Sequence, residues 1–162
     1  QTCVGSIVSE KLGAYIKWPN DIITSDGRKM GGILVESNNG EEIRLGVGAN
    51  RIGFIQDGIE ASGWEETIGQ IESIDVFEMI DRSLSSVFED IDSLDLPSED
   101  VLISKSWESL SKILSTGVSL YFKGKPVRAV GLNRTGELEA CGPDGELLIR
   151  DLEFLNWEYL SN

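Results

Sequence analysis

The 162-residue chain carries 28 acidic and 14 basic residues and no histidine, a formal net charge of −14, and 40% of it is hydrophobic. That length supports one well-filled core, or one core and a small satellite domain. No apolar run approaches the roughly 20 residues that cross a bilayer, and nothing has the layout of a signal peptide, so a cytoplasmic setting is the expectation.

Cys3 and Cys141 fit no metal-ligand spacing and read as reduced thiols. Without histidine the usual neutral-pH acid–base group is missing, so any catalysis must run on Lys, Arg, Asp, Asn and backbone amides, through charge and positioning. Residues 57–100 hold 14 acidic residues and one basic residue, Arg82, which leaves the rest nearly neutral. That stretch reads as a solvated helix face with its loops, and it would repel nucleic acid.

In chain order, Cys3, Val4, Ile7, Val8 and Leu12 recur at helical spacing, and Gly13 stands where a left-handed cap would end the helix. From Ala14 to Asn50 short apolar runs are broken by PND, SDGR and NNGEE, which predicts a meander of antiparallel strands. Pro19 should leave Lys17 at a strand end, with Asn20 and Asp21 in the turn. Lys29 should open the next strand. Residues 75–92 predict a helix with Val76, Phe77, Ile80, Leu84, Val87, Phe88 and Ile91 on one face. LPSED opens a second helix carrying Val101, Leu102, Trp107 and Leu110. After Gly117 the runs VSLYF, VRAVGL, ELEAC and ELLIRDLEFL, separated by KGKP, NRTG and GPDG, predict four strands of a small barrel or sandwich. A boundary falls near Ser115 to Gly117, giving regions 1–114 and 115–162. The chain starts without Met, as if cut from something longer.

The chemistry concentrates between Lys17 and Asn50. The Gly31-Gly32 pair and the alternate glycines of GVGAN, Gly46 and Gly48, remove side chains from two adjacent strands, with lysine and carboxylate at their rims. That suits a small-molecule pocket for an anionic group. A bulge, a plain turn and a solvated lysine are the duller readings of the same residues. GVGAN is no dinucleotide fingerprint, because it lacks the third glycine and the following helix.

The segment KWPNDIITSDGRKMGGILVE, followed by GVGAN, resembles the second half of the catalytic domain of biotin protein ligases. The resemblance continues weakly through SGWEE and WESL into a terminal part similar to that family's SH3-like domain. It implies an α+β fold: a mixed or antiparallel sheet with helices, then a small SH3-like β-barrel. It also implies an enzyme that uses ATP and Mg2+ to activate biotin as biotinyl-5′-AMP and passes the biotinyl group to a lysine of a biotin carboxyl carrier protein, with homodimerisation compatible.

By position, Lys29 matches the lysine that contacts the biotin carboxyl group and the phosphate joining it to AMP, with Lys17 a supporting charge. Gly32, Ile33 and Leu34 match residues lining the biotin pocket, and Gly46 and Gly48 the glycines beneath its rings. Asn50 matches the amide near the adenine, and Asp21 the carboxylate by the ATP phosphates and the metal. Both reactants are anionic, so a fixed ammonium and a metal ion serve this reaction without a histidine.

The chain departs from the pattern. The Gly-Arg-rich loop that closes over the adenylate and the polar residues that hold the ureido ring have no counterpart here, and no DNA-binding segment is seen. Ala49 and Arg51 replace larger aliphatic and small residues. The expectation is thus an N-terminally incomplete ligase, inactive alone. A non-catalytic remnant that binds biotin, an adenylate or a carrier is the alternative from another class, and a ligase for lipoate or another acyl acid is the third.

Overall fold

The computed structural model describes residues 1–38, 42–92, 99–150 and 152–159, excluding the side chains at 38, 87, 88, 90–92, 99 and 101. The expected turn at 39–41, the LPS of the second helix start, and the Val87, Phe88, Ile91 and Val101 side chains lie outside the described residues.

The architecture is α+β, with two sheets and three α-helices among the described residues. Helix α1 (Thr2–Lys11) ends ahead of Gly13, whose φ of 61° is the left-handed conformation expected there. Its buried residues are Thr2, Gly5, Ser6, Val8 and Ser9, with Leu12 just beyond, whereas Cys3, Val4 and Ile7 are only half buried. Close approach to the sheet explains the difference. A Cβ at Gly5 would run into the Ile16 side chain, so small residues face the strands. The hydroxyls of Ser6 and Ser9 donate back to helix carbonyls and leave no orphan donor.

The first sheet holds β1 (Tyr15–Lys17), β2 (Asp21–Ile23), β3 (Lys29–Asn38), β4 (Glu42–Ala49), β5 (Phe54–Gln56) and β6 (Ile59–Ala61). Strands β1 to β4 form the expected antiparallel meander, while β6 joins β3 in parallel at Lys29↔Ala61, so the sheet is mixed. Asp21 is the first residue of β2, paired with Gly32, instead of a turn residue. Pairing with β3 takes it into the ladder. The hairpin of β5 and β6 escaped the sequence reading, because its apolar residues Phe54, Ile55 and Ile59 follow the GVGAN strand with only short polar breaks.

Helices α2 (Ser73–Asp92) and α3 (Glu99–Leu114) serve different cores. Val76 and Ile80 of α2 join Val8, Leu12, Ile22, Met30, Ile33 and Trp64. Phe77, expected on the same face, is 63% exposed: it lies one residue around the helix from Val76, at the edge of an opening that it lines together with Leu45, Val47 and Ala49 of β4. Leu110 and Ile113 of α3 instead join Ile16, Trp18 and Ile23 to the interior of the second sheet.

That sheet contains β7 (Ser119–Phe122), β8 (Lys125–Leu132), β9 (Leu138–Gly142), β10 (Gly145–Ile149) and β11 (Leu155–Glu158), all antiparallel, in the order β10-β9-β8-β7-β11. The run ELLIRDLEFL is therefore two strands in place of one. A straight ten-residue strand would reach about 33 Å. Instead a 3-10 turn at Leu152–Phe154 redirects the chain, and β11 pairs with β7 across the sheet from β10. Among the described residues no helix is long and apolar enough to cross a membrane.

Candidate active site

The register of β3 and β4 builds the floor. Gly32 is opposite Gly48 and Leu34 opposite Gly46, so these four residues share one face, while Ile33 with Val47 and Val35 with Leu45 share the other. The first face is open: a Cβ at Gly48 would meet nothing closer than the Gly32 carbonyl at 3.9 Å, and one at Gly46 nothing closer than Leu34 at 3.6 Å. Packing therefore does not require glycine at either position. Gly31 is different, since its Cβ would collide with the Gly48 carbonyl oxygen. It is the glycine that the sheet itself demands, beside the bulge where the β2–β3 register shifts.

Above this floor lies a depression of about 360 Å3, lined by Asn20, Asp21, Lys29, Gly32, Ile33, Leu34, Gly46, Val47 and Gly48. Seven of the residues singled out from the sequence thus come together: Asp21, Lys29, Gly32, Ile33, Leu34, Gly46 and Gly48. Ile33 takes part through its backbone, because its side chain is 2% exposed in the core beneath, whereas Leu34 is 55% exposed on the open face.

Lys29 occupies a junction of three strands, opposite Ile23 of β2 and Ala61 of β6. Its carbonyl accepts from the Ser62 amide at 2.9 Å. The side chain reaches back over β2, where Nζ lies 2.5 Å from Asp21 Oδ1. The neighbouring cation is committed elsewhere: Arg28 pairs with Asp26, Glu60 and Glu66. Burial works to raise the Asp26 carboxyl, but hydrogen bonds from Thr24 and Arg28 outweigh it and hold it below the usual carboxylate range. Glu66 is also held low, first by the Gly63 amide and, against some burial, by Arg28.

Asn20, which sequence reasoning left as a turn residue, anchors the rim. Its Nδ2 donates to the Ile33 carbonyl at 2.9 Å and its own carbonyl accepts from the Ile33 amide at 2.8 Å. The signal was present in the PND triplet, but its partner lies 13 residues away.

Lys17 and Asn50 do not line the depression. Lys17 Nζ sits 5.8 Å from the centre of the Trp157 ring, a cation–π contact with the second sheet. Asn50 stitches the end of β4 to the next segment: its amide donates to Met30 at 2.8 Å, its Nδ2 to Ser62 at 3.1 Å, and its carbonyl accepts from Trp64 at 3.0 Å. Trp18, the most distinctive residue of the motif, is 4% exposed and donates its indole N–H to the Gly136 carbonyl at 2.8 Å.

No protein-family model matches the chain. Solved structures match it over nearly all of its length. Biotin protein ligase from Aquifex aeolicus superposes with a TM-score of 0.73 at 21% identity, covering 98% of this chain and 73% of that one. The same enzyme in complex with biotin and ATP gives 0.72 at 22%, with coverages of 98% and 70%. Biotin protein ligase from Leishmania major in complex with biotinyl-5-AMP gives 0.53 at 23%, with coverages of 99% and 70%. The α+β fold of this chain is the fold of biotin protein ligases.

Proposed function

We propose that this chain is a biotin protein ligase, which uses ATP to convert biotin to biotinyl-5′-AMP and passes the biotinyl group to a lysine of a biotin carrier protein. One observation carries the reading: the cleared faces of Gly32, Gly46 and Gly48 lie beneath an open depression with Lys29 and Asp21 at its rim. Their fold is shared with a protein solved with biotin and ATP.

A biotin carboxylate oxygen attacks the α-phosphorus, the bond to the bridging oxygen breaks, and pyrophosphate leaves. Lys29 faces two anions that repel each other, and its ammonium offsets the charge that grows on the phosphoryl oxygens. Gly32, Gly46 and Gly48 let a flat ring system settle onto the backbone, with Leu34 as an apolar wall and the Ile33 backbone as part of the floor. Among the described residues lining the depression Asp21 is the one carboxylate, with Oδ1 paired to Lys29; it would give Mg2+ a single hard oxygen ligand, the rest coming from phosphates and water, and Mg2+ held there would neutralise phosphate charge. Asn50 near the adenine and Lys17 as a supporting charge belong to the same reading, as do an SH3-like second domain from residue 115, homodimerisation and a cytoplasmic setting. The test is ATP–pyrophosphate exchange with biotin and with lipoate, followed by transfer of labelled biotin to a carrier domain. Exchange with lipoate and not with biotin would redirect the assignment to another acyl acid.

A binder without turnover is favoured by a different observation. Arg28 is held by three carboxylates and Arg51 by Glu65 and Glu72, so neither is free to close over an adenylate. Tight binding of a biotinyl-adenylate analogue without pyrophosphate exchange would select that reading.

A further inference from the structure

Strand β2 has only three residues, yet it carries Asp21 at its start and leads through a five-residue turn to Lys29. Two separate parts of the second sheet reach its two ends. At the upstream end, the Trp18 indole N–H donates to the carbonyl of Gly136, in the turn between β8 and β9, 118 positions away. The same Trp-Pro-Asn segment is tied to α1 by Thr2 Oγ1, which donates to the Pro19 carbonyl at 3.0 Å, and to β3 by the reciprocal Asn20–Ile33 bonds.

At the downstream end, Gly27 sits in the β2–β3 turn with φ of 86°. The Tyr159 ring, just past β11, fills the space where a side chain would be: a Cβ there would lie 2.8 Å from three of its ring carbons. The Tyr159 hydroxyl is buried with no hydrogen-bond partner among the described residues. Lys17 over Trp157 adds a third contact between the same parts. Leu110, Ile113 and the core around them already join the two sheets. Trp18 belongs to that core and Tyr159 packs against it, but their contacts with Gly136 and Gly27 fall on the turns that bracket β2.

We propose that Trp18 and Tyr159 are positioning residues through which the second sheet clamps both ends of β2 and so fixes Asp21 and Lys29 relative to the floor. The proposal rests on the ligase reading only for what that pair does. The hydrogen bond sets where the Asn20–Asp21 corner sits, and the aromatic plug sets the exit angle of the turn that delivers Lys29. Neither side chain lines the depression, so their effect is on geometry and hence on rate. Misplacement of a reacting group by about 1 Å can cost on the order of 100-fold.

The test uses the full chain carrying Trp18→Phe, Tyr159→Ala or Tyr159→Phe, each read by amide hydrogen exchange and by biotin-dependent pyrophosphate exchange. Removing a bond or plug of this kind should lower protection across residues 20–30 by roughly 5-fold or more in Trp18→Phe and Tyr159→Ala, with α3 and β9–β10 unchanged. Tyr159→Phe, which keeps the ring, should restore it. The same two variants should lose about 10-fold or more in kcat with the biotin KM nearly constant. Protection lost evenly through the chain, unchanged protection at 20–30, or Tyr159→Phe behaving like Tyr159→Ala would each overturn the clamp. If the unaltered chain neither catalyses biotin-dependent exchange nor binds a biotinyl-adenylate analogue, the ligase reading fails; in that case, and equally if it binds without turnover, the hydrogen-exchange pattern still decides the clamp.

Discussion

Lys29 and Asp21 form an ion pair at 2.5 Å, with the lysine side chain 57% exposed and the aspartate 28%. A pair this open to solvent contributes about 0–1 kcal/mol to stability. It keeps a cation at the rim of the depression that an anionic ligand can recruit.

In the intact ligase, Lys29→Ala should therefore leave the melting temperature nearly unchanged while cutting adenylate formation by roughly 100-fold or more, as expected for a charge aimed at a developing oxyanion. Pyrophosphate exchange beside a thermal melt checks this. Near-normal exchange in the folded variant removes Lys29 from the chemistry.

The glycines of the floor should separate by role. Gly48→Val places its side chain in open space and should fold while abolishing biotin binding. Gly31→Ala meets the Gly48 backbone and should destabilise the protein by about 1–3 kcal/mol, the usual cost of overpacking. Denaturant melts and a biotin titration on both variants decide it, and unchanged affinity in a folded Gly48→Val protein rules out the floor assignment.

Tyr159 predicts an alkaline limb. Burial, and then the charge of Asp21, push its hydroxyl up to about 12. A folded-state pKa above the unfolded one means that the neutral phenol is favoured in the fold. This contribution is fully present below the unfolded value near 10 and is lost as pH rises from there towards 12. Tyr159→Phe should flatten that part of the stability curve and, by removing a buried hydroxyl that has no partner among the described residues, cost nothing at neutral pH. Melting curves from pH 9 to 12 test it, and an identical alkaline decline in both proteins would refute it.

Asp26 and Glu66 predict the acid limb. Both are held low in the folded protein, so the stability they add is present above their unfolded values near pH 4 and disappears as pH falls through the folded ones. Glu66→Gln should show a smaller drop in melting temperature between pH 5 and 3 than the unaltered chain. Parallel curves would show that Glu66 carries none of the dependence.

The sequence by itself determined what local chemistry can specify. Turn residues placed the β1–β4 meander, Gly13 ended α1 with the expected positive φ, and the period-two spacing of Gly46 and Gly48 fixed them on one face of β4. Lys29 opening β3 followed from the turn before it. Only the tertiary structure decided partnerships between distant segments, because no local rule encodes them. It assigned Trp18 to the Gly136 carbonyl and Tyr159 to the space over Gly27, 118 and 132 positions away in the chain. It turned the side chain of Ile33 into the core while leaving Leu34 open, and divided one long apolar run into β10 and β11 because β7 had a free edge to offer. It also separated the two adjacent glycines: the Gly48 backbone crowds the space beside Gly31, whereas Gly32 faces the depression, a distinction that depends on register across the sheet.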